Sequence, residues 1–232
     1  MSVRDTWAVV PVKRLPCAKS RLGDVLTGAE RALLAQTMLR DVLGVLRRVP
    51  GLAGTLVVTD DPGVTHIAQT HDCVVVPEQG EAGLNAAVMR GIAWLHHARQ
   101  DGVIVLPGDV PLVTKDEIEQ VLAALCESVL ILAPAKRDGG TNLIAARPSG
   151  LVVAQFGEAS FRRHLRDAQA RGIDAHVLHL SGIGSDVDGP RDLAEHAGSD
   201  RSTLTSELLR RLNVITRMRE TGSLTAAGLL HV

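Results

Sequence analysis

Three aspartates and a cluster of cations are the residues here whose types and spacing could do chemistry. Asp109 stands in Val103-Ile-Val-Leu-Pro-Gly-Asp-Val-Pro-Leu112, just past an apolar run that Pro107 and Gly108 bring to an end. Asp186 and Asp188 stand two apart in Gly184-Ser-Asp-Val-Asp-Gly-Pro-Arg191, a spacing that puts both on one side of an extended segment. Lys13, Arg14, Lys19 and Arg21 fall within the nine residues 13–21. Carboxylates are hard ligands for Mg²⁺, and the metal together with lysines neutralises phosphate charge. Such a set suits attack of one oxyanion on the α-phosphorus of a nucleotide, with pyrophosphate leaving. Catalysis of that step is mostly positioning and charge neutralisation. Each signal has a plainer reading on its own: Asp109 makes a turn, the basic loop is solvated, and Asp186 and Asp188 cap the helix after Pro190.

These residues need elements to hold them. Residues 7–12 and 103–106 read as apolar strands covered on both faces. The basic segment follows the first, and Asp109 the second, at the strand ends where open α/β sheets bind ligands. Thr27 and Glu30 have capping-box spacing ahead of a helix over 29–48, with Leu33, Leu34, Met38, Val42, Val45 and Leu46 as its apolar stripe. Strands over 55–59 and 73–76 flank a short helix over 64–70. The alternation predicts a mostly parallel sheet with helices on both faces. Gly83, Leu84 and Asn85 open a helix to about 99, with Asn85 either capping it or facing a base or ribose. Thr114 caps a helix over 115–128, and a strand over 129–133 follows. Gly139 and Gly140, before Thr141 and Asn142, let backbone approach a ligand closely. A strand over 143–146 leaves that turn. Ser160 is placed as the cap of a helix over 161–171, whose free N–H groups suit a phosphate. A strand over 175–180 and a helix over 191–197 complete the order.

The composition shifts at 198–202, which divides the chain into a domain over 1–198 and an appendage over 199–232. The appendage reads as one amphipathic helix, with Leu208, Leu212, Ile215 and Met218 at helical spacing, then a tail of small residues. A packed or homodimerising role is expected for it.

Composition excludes several classes. Hydrophobic content of 45%, charged content of 22% and a net charge of −1 argue against disorder and against a general nucleic-acid binder. Tyr is absent and aromatics are 2%, too few for a base-stacking platform. The nine histidines lack zinc-site spacing. Cys17, Cys73 and Cys126, odd in number and far apart, suit a reducing compartment. No signal peptide and no membrane span are read, so a cytoplasmic location is expected.

The motifs taken in order resemble a known family. Val10-Pro-Val-Lys-Arg-Leu-Pro-Cys-Ala-Lys-Ser-Arg-Leu22, Gly83-Leu-Asn85, Leu106-Pro-Gly-Asp-Val-Pro-Leu112, Gly140-Thr-Asn142, Phe156-Gly-Glu-Ala-Ser-Phe161 and Asp186-Val-Asp188 are similar to the guanylyltransferases of coenzyme F420 biosynthesis. The resemblance covers about residues 6–198. It implies the nucleotide-diphospho-sugar and molybdenum-cofactor-type nucleotidyltransferase fold, a Rossmann-like α/β/α sandwich. It also implies GTP and a phosphorylated three-carbon acid as substrates: 2-phospho-L-lactate, phosphoenolpyruvate or 3-phospho-D-glycerate. By the same resemblance Asp109, Asp186 and Asp188 hold one or two Mg²⁺, and Thr141, Asn142, Gly157 and Ser160 hold the acid. Pro11, Val12, Lys13, Lys19, Arg21, Gly83, Leu84 and Asn85 hold GTP, with Lys13, Lys19 and Asp109 closest to the chemistry. A downstream enzyme would consume the guanylylated product. Two other readings stay open. One is a sugar-phosphate or molybdopterin nucleotidyltransferase, which usually carries a Gly-rich loop where this chain has Pro-Val-Lys-Arg. The other is a non-catalytic nucleotide-binding regulator.

Overall fold

Thr6–Pro11 forms β1, an apolar interior strand, third in a seven-stranded sheet. The computed structural model describes residues 5–15, 19–78 and 83–223. The other strands are β2 (Gly54–Val58), β3 (Val74–Val76), β4 (Gly102–Val105), β5 (Leu130–Pro134), β6 (Thr141–Ala146) and β7 (Ala175–Val177). They lie in the order β3-β2-β1-β4-β6-β5-β7. β1 pairs in parallel with both β2 and β4. The chain therefore runs outward through β2 and β3, then returns to β4 on the other side of β1. The loops leaving β1 and β4 part at this reversal and open a crevice at the strands' carboxyl ends. The basic segment and Asp109 are carried on these two loops.

β6 is antiparallel to both β4 and β5, while β7 is parallel to β5. The reason is the short connection. No helix intervenes between β5 and β6, and a parallel return needs a longer crossover.

Helices cover both faces. Alternation along the strands sends Ala8, Val10, Ile104 and Leu106 to one side. There they meet α1 (Gly28–Leu46), α2 (Pro62–Thr70) and α4 (Lys115–Glu127). Val9, Val103 and Val105 go to the other side, toward α3 (Leu84–His97) and α5 (Ser160–Ala170). A third cluster joins α1 to α6 (Pro190–Ala197), α7 (Leu204–Arg211) and α8 (Val214–Glu220). The mostly parallel three-layer fold expected from the sequence is present. No helix among the described residues is long and apolar enough to cross a membrane.

The capping box expected at Thr27 forms, and Thr114 caps α4 as expected, with Glu117 completing a second box there. Other expectations are corrected. Leu33 was placed on the buried stripe of α1 and is 43% exposed. The last strand is only Ala175–Val177. The segment after 204 is not one helix: Asn213 takes a left-handed conformation, φ 50°, and breaks it into α7 and α8. The small-residue tail from 224 lies outside the described residues, as do Pro16, Cys17 and Ala18 of the basic loop. The apolar stripe of α7 and α8 is covered within the chain. Leu208, Leu209, Val214 and Met218 are buried against Leu34, Met38 and Leu193. Leu212 and Ile215 pack at the margin of the same cluster.

Candidate active site

The loop after β1 is pinned from a neighbouring strand. Asp61 follows β2 and caps α2 by accepting from the N–H groups of Gly63 and Val64 at 2.8 and 3.1 Å. Its other oxygen accepts from the N–H of Leu15 at 2.9 Å. One buried carboxylate thus fixes both a helix start and the cationic loop. The sequence showed Asp61 only as part of a turn, because its partner lies 46 residues away. Asp61→Ala removes three acceptor contacts and is expected to cost ~2–3 kcal/mol of stability. Thermal unfolding and the KM for nucleotide would measure it, with both expected to worsen. Unchanged values in both assays would show that the loop is held by other contacts.

Lys19 closes this loop over the acids. It sits in a left-handed conformation, φ 54°. Its Nζ meets Asp109 at 2.5 Å and Asp188 at 2.9 Å, with the side chain only 9% exposed. Burial alone would lower the ammonium's pKa; the two carboxylates outweigh it and hold Lys19 above lysine's ordinary range. Lys13 and Arg21 are exposed and have no protein partner among the described residues. Free cations of this kind suit phosphate oxygens.

The acids are held by an outer layer of contacts. The N–H of Val187 donates to the carbonyl of Asp109 at 3.2 Å, which ties the two acid-bearing turns together. Asn142 donates from Nδ2 to Asp186 Oδ1 and to the Ile183 carbonyl, both at 2.9 Å. Asp192 accepts from the N–H groups of Asp188 and Gly189 at 3.1 and 2.8 Å. Neither Asp186 nor Asp188 therefore serves as the side-chain cap of α6. Glu117, the box residue of α4, also reaches the N–H of Gly182 at 2.6 Å and anchors the start of the 182–188 loop. A Cβ at Gly182 would collide with the Leu112 carbonyl, so only glycine fits there. Burial pushes the Asp186 carboxyl up to about 6; the Asn142 bond opposes this, and the charges of Asp109 and Asp188 add to it.

The sequence reading missed Asp138. Its carboxylate, with those of Asp186 and Asp188, offers ligand oxygens all within 4.8 Å of one another. Crowded hard oxygens and a carboxyl driven up in pKa are what a divalent cation would relieve, so the donor set fits Mg²⁺. The structure thus splits the expected triad. Asp188 is shared between a Lys19–Asp109 side and an Asp138–Asp186 side.

Two cavities meet at this wall. One of about 410 Å³ is lined by Pro11, Val12, Lys13, Lys19, Arg21, Leu84, Asp109 and Asp188, among others. Most of the expected nucleotide contacts are therefore together. The other, of about 300 Å³, is lined by Lys136, Arg137, Asp138, Asp186, Asp188 and Arg191, among others. Arg21 and Asp188 line both. Lys136, Arg137 and Arg191 had no sequence signal beyond charge. Arg137 pairs with Asp192 at 3.3 Å and also with Glu195.

Gly83 and Asn85 do not line either of these cavities, and neither do the expected acid contacts Thr141, Asn142, Gly157 and Ser160. Asn85 neither caps α3, whose N-cap is Gly83, nor leaves its amide free for a base. Its Oδ1 accepts the N–H of Phe156 at 2.8 Å and its Nδ2 donates to the Phe156 carbonyl at 3.3 Å. The turn assigned to nucleotide thus grips the loop assigned to acid. Beyond Phe156, Gly157 has φ 121°, a conformation suited to glycine. The N–H groups of Gly157, Glu158 and Ala159 find no acceptor among the described residues. Asn85→Ala is expected to raise the KM of the acid about tenfold and that of nucleotide less, because loss of two hydrogen bonds frees the Gly157 loop. A larger effect on nucleotide KM would return Asn85 to the nucleotide side.

Ser160 is not the cap of α5. The N-cap is Ala159, φ 50°, with no side-chain cap bond, and Ser160 is buried as the first helical residue. The Ser160 hydroxyl lies 3.3 Å from that of Thr141, and the Ser160 N–H donates to the Gly157 carbonyl at 3.1 Å. Thr141, Gly157 and Ser160 are therefore brought together. Asn142 faces the other way, toward Asp186.

A family model described as guanylyl transferase CofC like matches residues 6–227. A phosphoenolpyruvate guanylyltransferase of Sphaerobacter thermophilus is 37% identical over 193 residues, 83% of this chain and 93% of its own. A 3-phospho-D-glycerate guanylyltransferase of Phenylobacterium zucineum is 36% identical, covering 87% and 94%. A 2-phospho-L-lactate guanylyltransferase of Methanothermobacter thermautotrophicus is 33% identical, covering 89% and 91%. Among solved structures, a protein of Desulfovibrio desulfuricans G20, provisionally assigned as a nucleotide-diphospho-sugar transferase, superposes with a TM-score of 0.75. It is 20% identical and covers 95% of this chain and 99% of its own, a likeness of fold.

Proposed function

The chain belongs to the family of CofC-like guanylyl transferases, and from that premise we propose that it moves GMP from GTP onto the phosphate of a phosphorylated three-carbon acid. Pyrophosphate leaves, and the guanylylated acid enters coenzyme F420 biosynthesis through a downstream enzyme. The observation that carries this reading is the bridge of Lys19 between Asp109 and Asp188, at the wall shared by the two cavities. Two anions must meet there, and repulsion between them is the barrier in water.

The chain's own groups answer that barrier. Lys13, Lys19 and Arg21 take the triphosphate charge on the β1 side. Gly157 and its neighbours offer N–H groups at the start of α5 for the acid. The attacking oxygen is already an anionic phosphate oxygen, so no general base is needed. The phosphate oxygen forms the new bond to the α-phosphorus of GTP, and the bond from that phosphorus to the pyrophosphate oxygen breaks. Asp109, Asp186 and Asp188, with Asp138, would hold one or two Mg²⁺, which when bound neutralises and orients phosphate oxygens.

The three relatives are nearly equally similar to this chain yet are named for three different acids. The test is therefore incubation with GTP, Mg²⁺ and each acid separately. Pyrophosphate release is followed, and the product is trapped by the downstream enzyme. Release with one acid and not without it is the expected result. No acid-dependent release with any of the three would overturn the proposal.

A further inference from the structure

His164, in the second turn of α5, touches Thr141, Gln155 and Phe156, beside the groups proposed to hold the acid, while being only 4% exposed. Its Nε2 accepts the N–H of Gln155 at 3.1 Å. A backbone N–H can only donate, so Nε2 carries no proton. The neutral ring then bears its proton on Nδ1, which lies 2.9 Å from the Thr141 hydroxyl oxygen. Burial holds the ring's pKa down to about 4, with Arg163 adding to this and Asp167 opposing it. The Phe156 ring packs edge-on against the imidazole, with ring centroids 5.2 Å apart.

The proton count that follows decides what the pocket presents. Thr141 and Ser160 have one hydroxyl proton each and share one hydrogen bond. Thr141 also accepts from His164. One hydroxyl proton of the pair is then left without an acceptor among the described residues. With the other tautomer, the Thr141 proton would go to Nδ1 and the Ser160 proton to Thr141. The pair would then show only lone pairs, which repel an anion.

We infer that His164 is a positioning residue that, through its Nδ1–H, makes the Thr141–Ser160 pair a hydrogen-bond donor to an oxyanion of the acid substrate. This rests on the proposed function, since it supposes that an acid binds at this pocket. The same ring holds Gln155 next to the loop whose Gly157 N–H has no acceptor among the described residues, so backbone and hydroxyl donors are set together.

Two measurements test it. In the full-length wild-type protein labelled with ¹⁵N-histidine, long-range ¹H–¹⁵N spectra at neutral pH should show His164 neutral and protonated on Nδ1. In kinetics with both substrates varied, His164→Leu should raise the KM of the acid ~10–100-fold, the effect of losing a hydrogen bond to a charged group, and that of GTP less than about twofold. His164→Asn places an amide N–H near the Nδ1 position and should recover most of the loss. His164→Gln places its amide near Nε2 and should recover little. A ring protonated on Nε2, or on both nitrogens, would overturn the inference even where transfer is normal. Rescue by Gln equal to or better than Asn would also overturn it, since the ring would then only tether Gln155. If the wild type transferred GMP to none of the acids, the proposed function would fail and take this inference with it. Should His164→Leu fail to fold, the wild-type spectra and the Asn–Gln comparison still decide.

Discussion

Asp109→Asn should abolish most guanylyl transfer and leave the fold intact. The side chain is 30% exposed, on a turn rather than inside a strand. The bond that ties this turn to the second acid loop runs from the Val187 N–H to the Asp109 backbone carbonyl, which an asparagine keeps. Lys19 loses one of its two carboxylates and retains Asp188 at 2.9 Å, so its ammonium is not left unpaired. The stability cost should therefore stay within ~1–2 kcal/mol after allowance for solvent screening. The catalytic cost should be larger, because in the proposed site the missing charge would face the reacting phosphates. Loss of a metal ligand removes several kcal/mol of transition-state stabilisation, and ~3 kcal/mol is already more than a hundredfold in rate. Turnover measured across a Mg²⁺ titration, beside a thermal melt, separates the two effects. Near-normal turnover at limiting Mg²⁺ would remove Asp109 from the metal site.

What could be read from the sequence divides along a physical line. Strands such as β1 and β4 were legible because continuous apolar runs between turn residues encode burial locally. The box at Thr27–Glu30 and the cap at Thr114 were legible because each cap and its partner lie within one turn of helix. The antiparallel direction of β6 was not read, although the segment between 134 and 141 is too short for the crossover that a parallel return needs. Asn85, Asp61 and His164 were misread or missed because their partners are far along the chain, Phe156 being 71 residues from Asn85. Ser160 looked like a cap because serine usually is one. Instead the backbone turns at Ala159, and the hydroxyl is drawn inward to Thr141. Asp138 carried no signal because an acid before two glycines reads as a turn, and only the folded sheet brings it beside Asp186 and Asp188.

Ending the chain after Asp200 should destabilise the protein and cripple the site, although no described residue beyond 200 lines either cavity of the site. The sequence placed a boundary near 198, but the packing crosses it. Leu208, Leu209, Val214 and Met218 share one buried cluster with Leu22, Leu34, Met38 and Val187. Val187 stands between Asp186 and Asp188, and Met38 lines the cavity that Lys19 and Asp109 share. The two helices are also fastened by polar contacts. Asp41 of α1 accepts from the N–H groups of Leu204 and Thr205, each at 2.9 Å. Arg217 of α8 pairs with Glu30, the box residue of α1, at 2.8 Å. Side chains of this size contribute ~1.5–3 kcal/mol each on burial, against a net stability of ~5–15 kcal/mol for a whole domain. Removing four of them, and uncovering the residues beneath, should lower the melting temperature by roughly 10 °C or more. What survives should bind Mg²⁺ poorly, because the loop through Val187 loses its floor. Met218→Ala is the milder companion, expected to cost ~2–5 kcal/mol by leaving a cavity in the same cluster without deleting backbone. Sedimentation of the intact chain and the truncated one would show whether the tail also joins copies. A truncated protein that melts and turns over like its parent would mean that the two helices are a passive appendage.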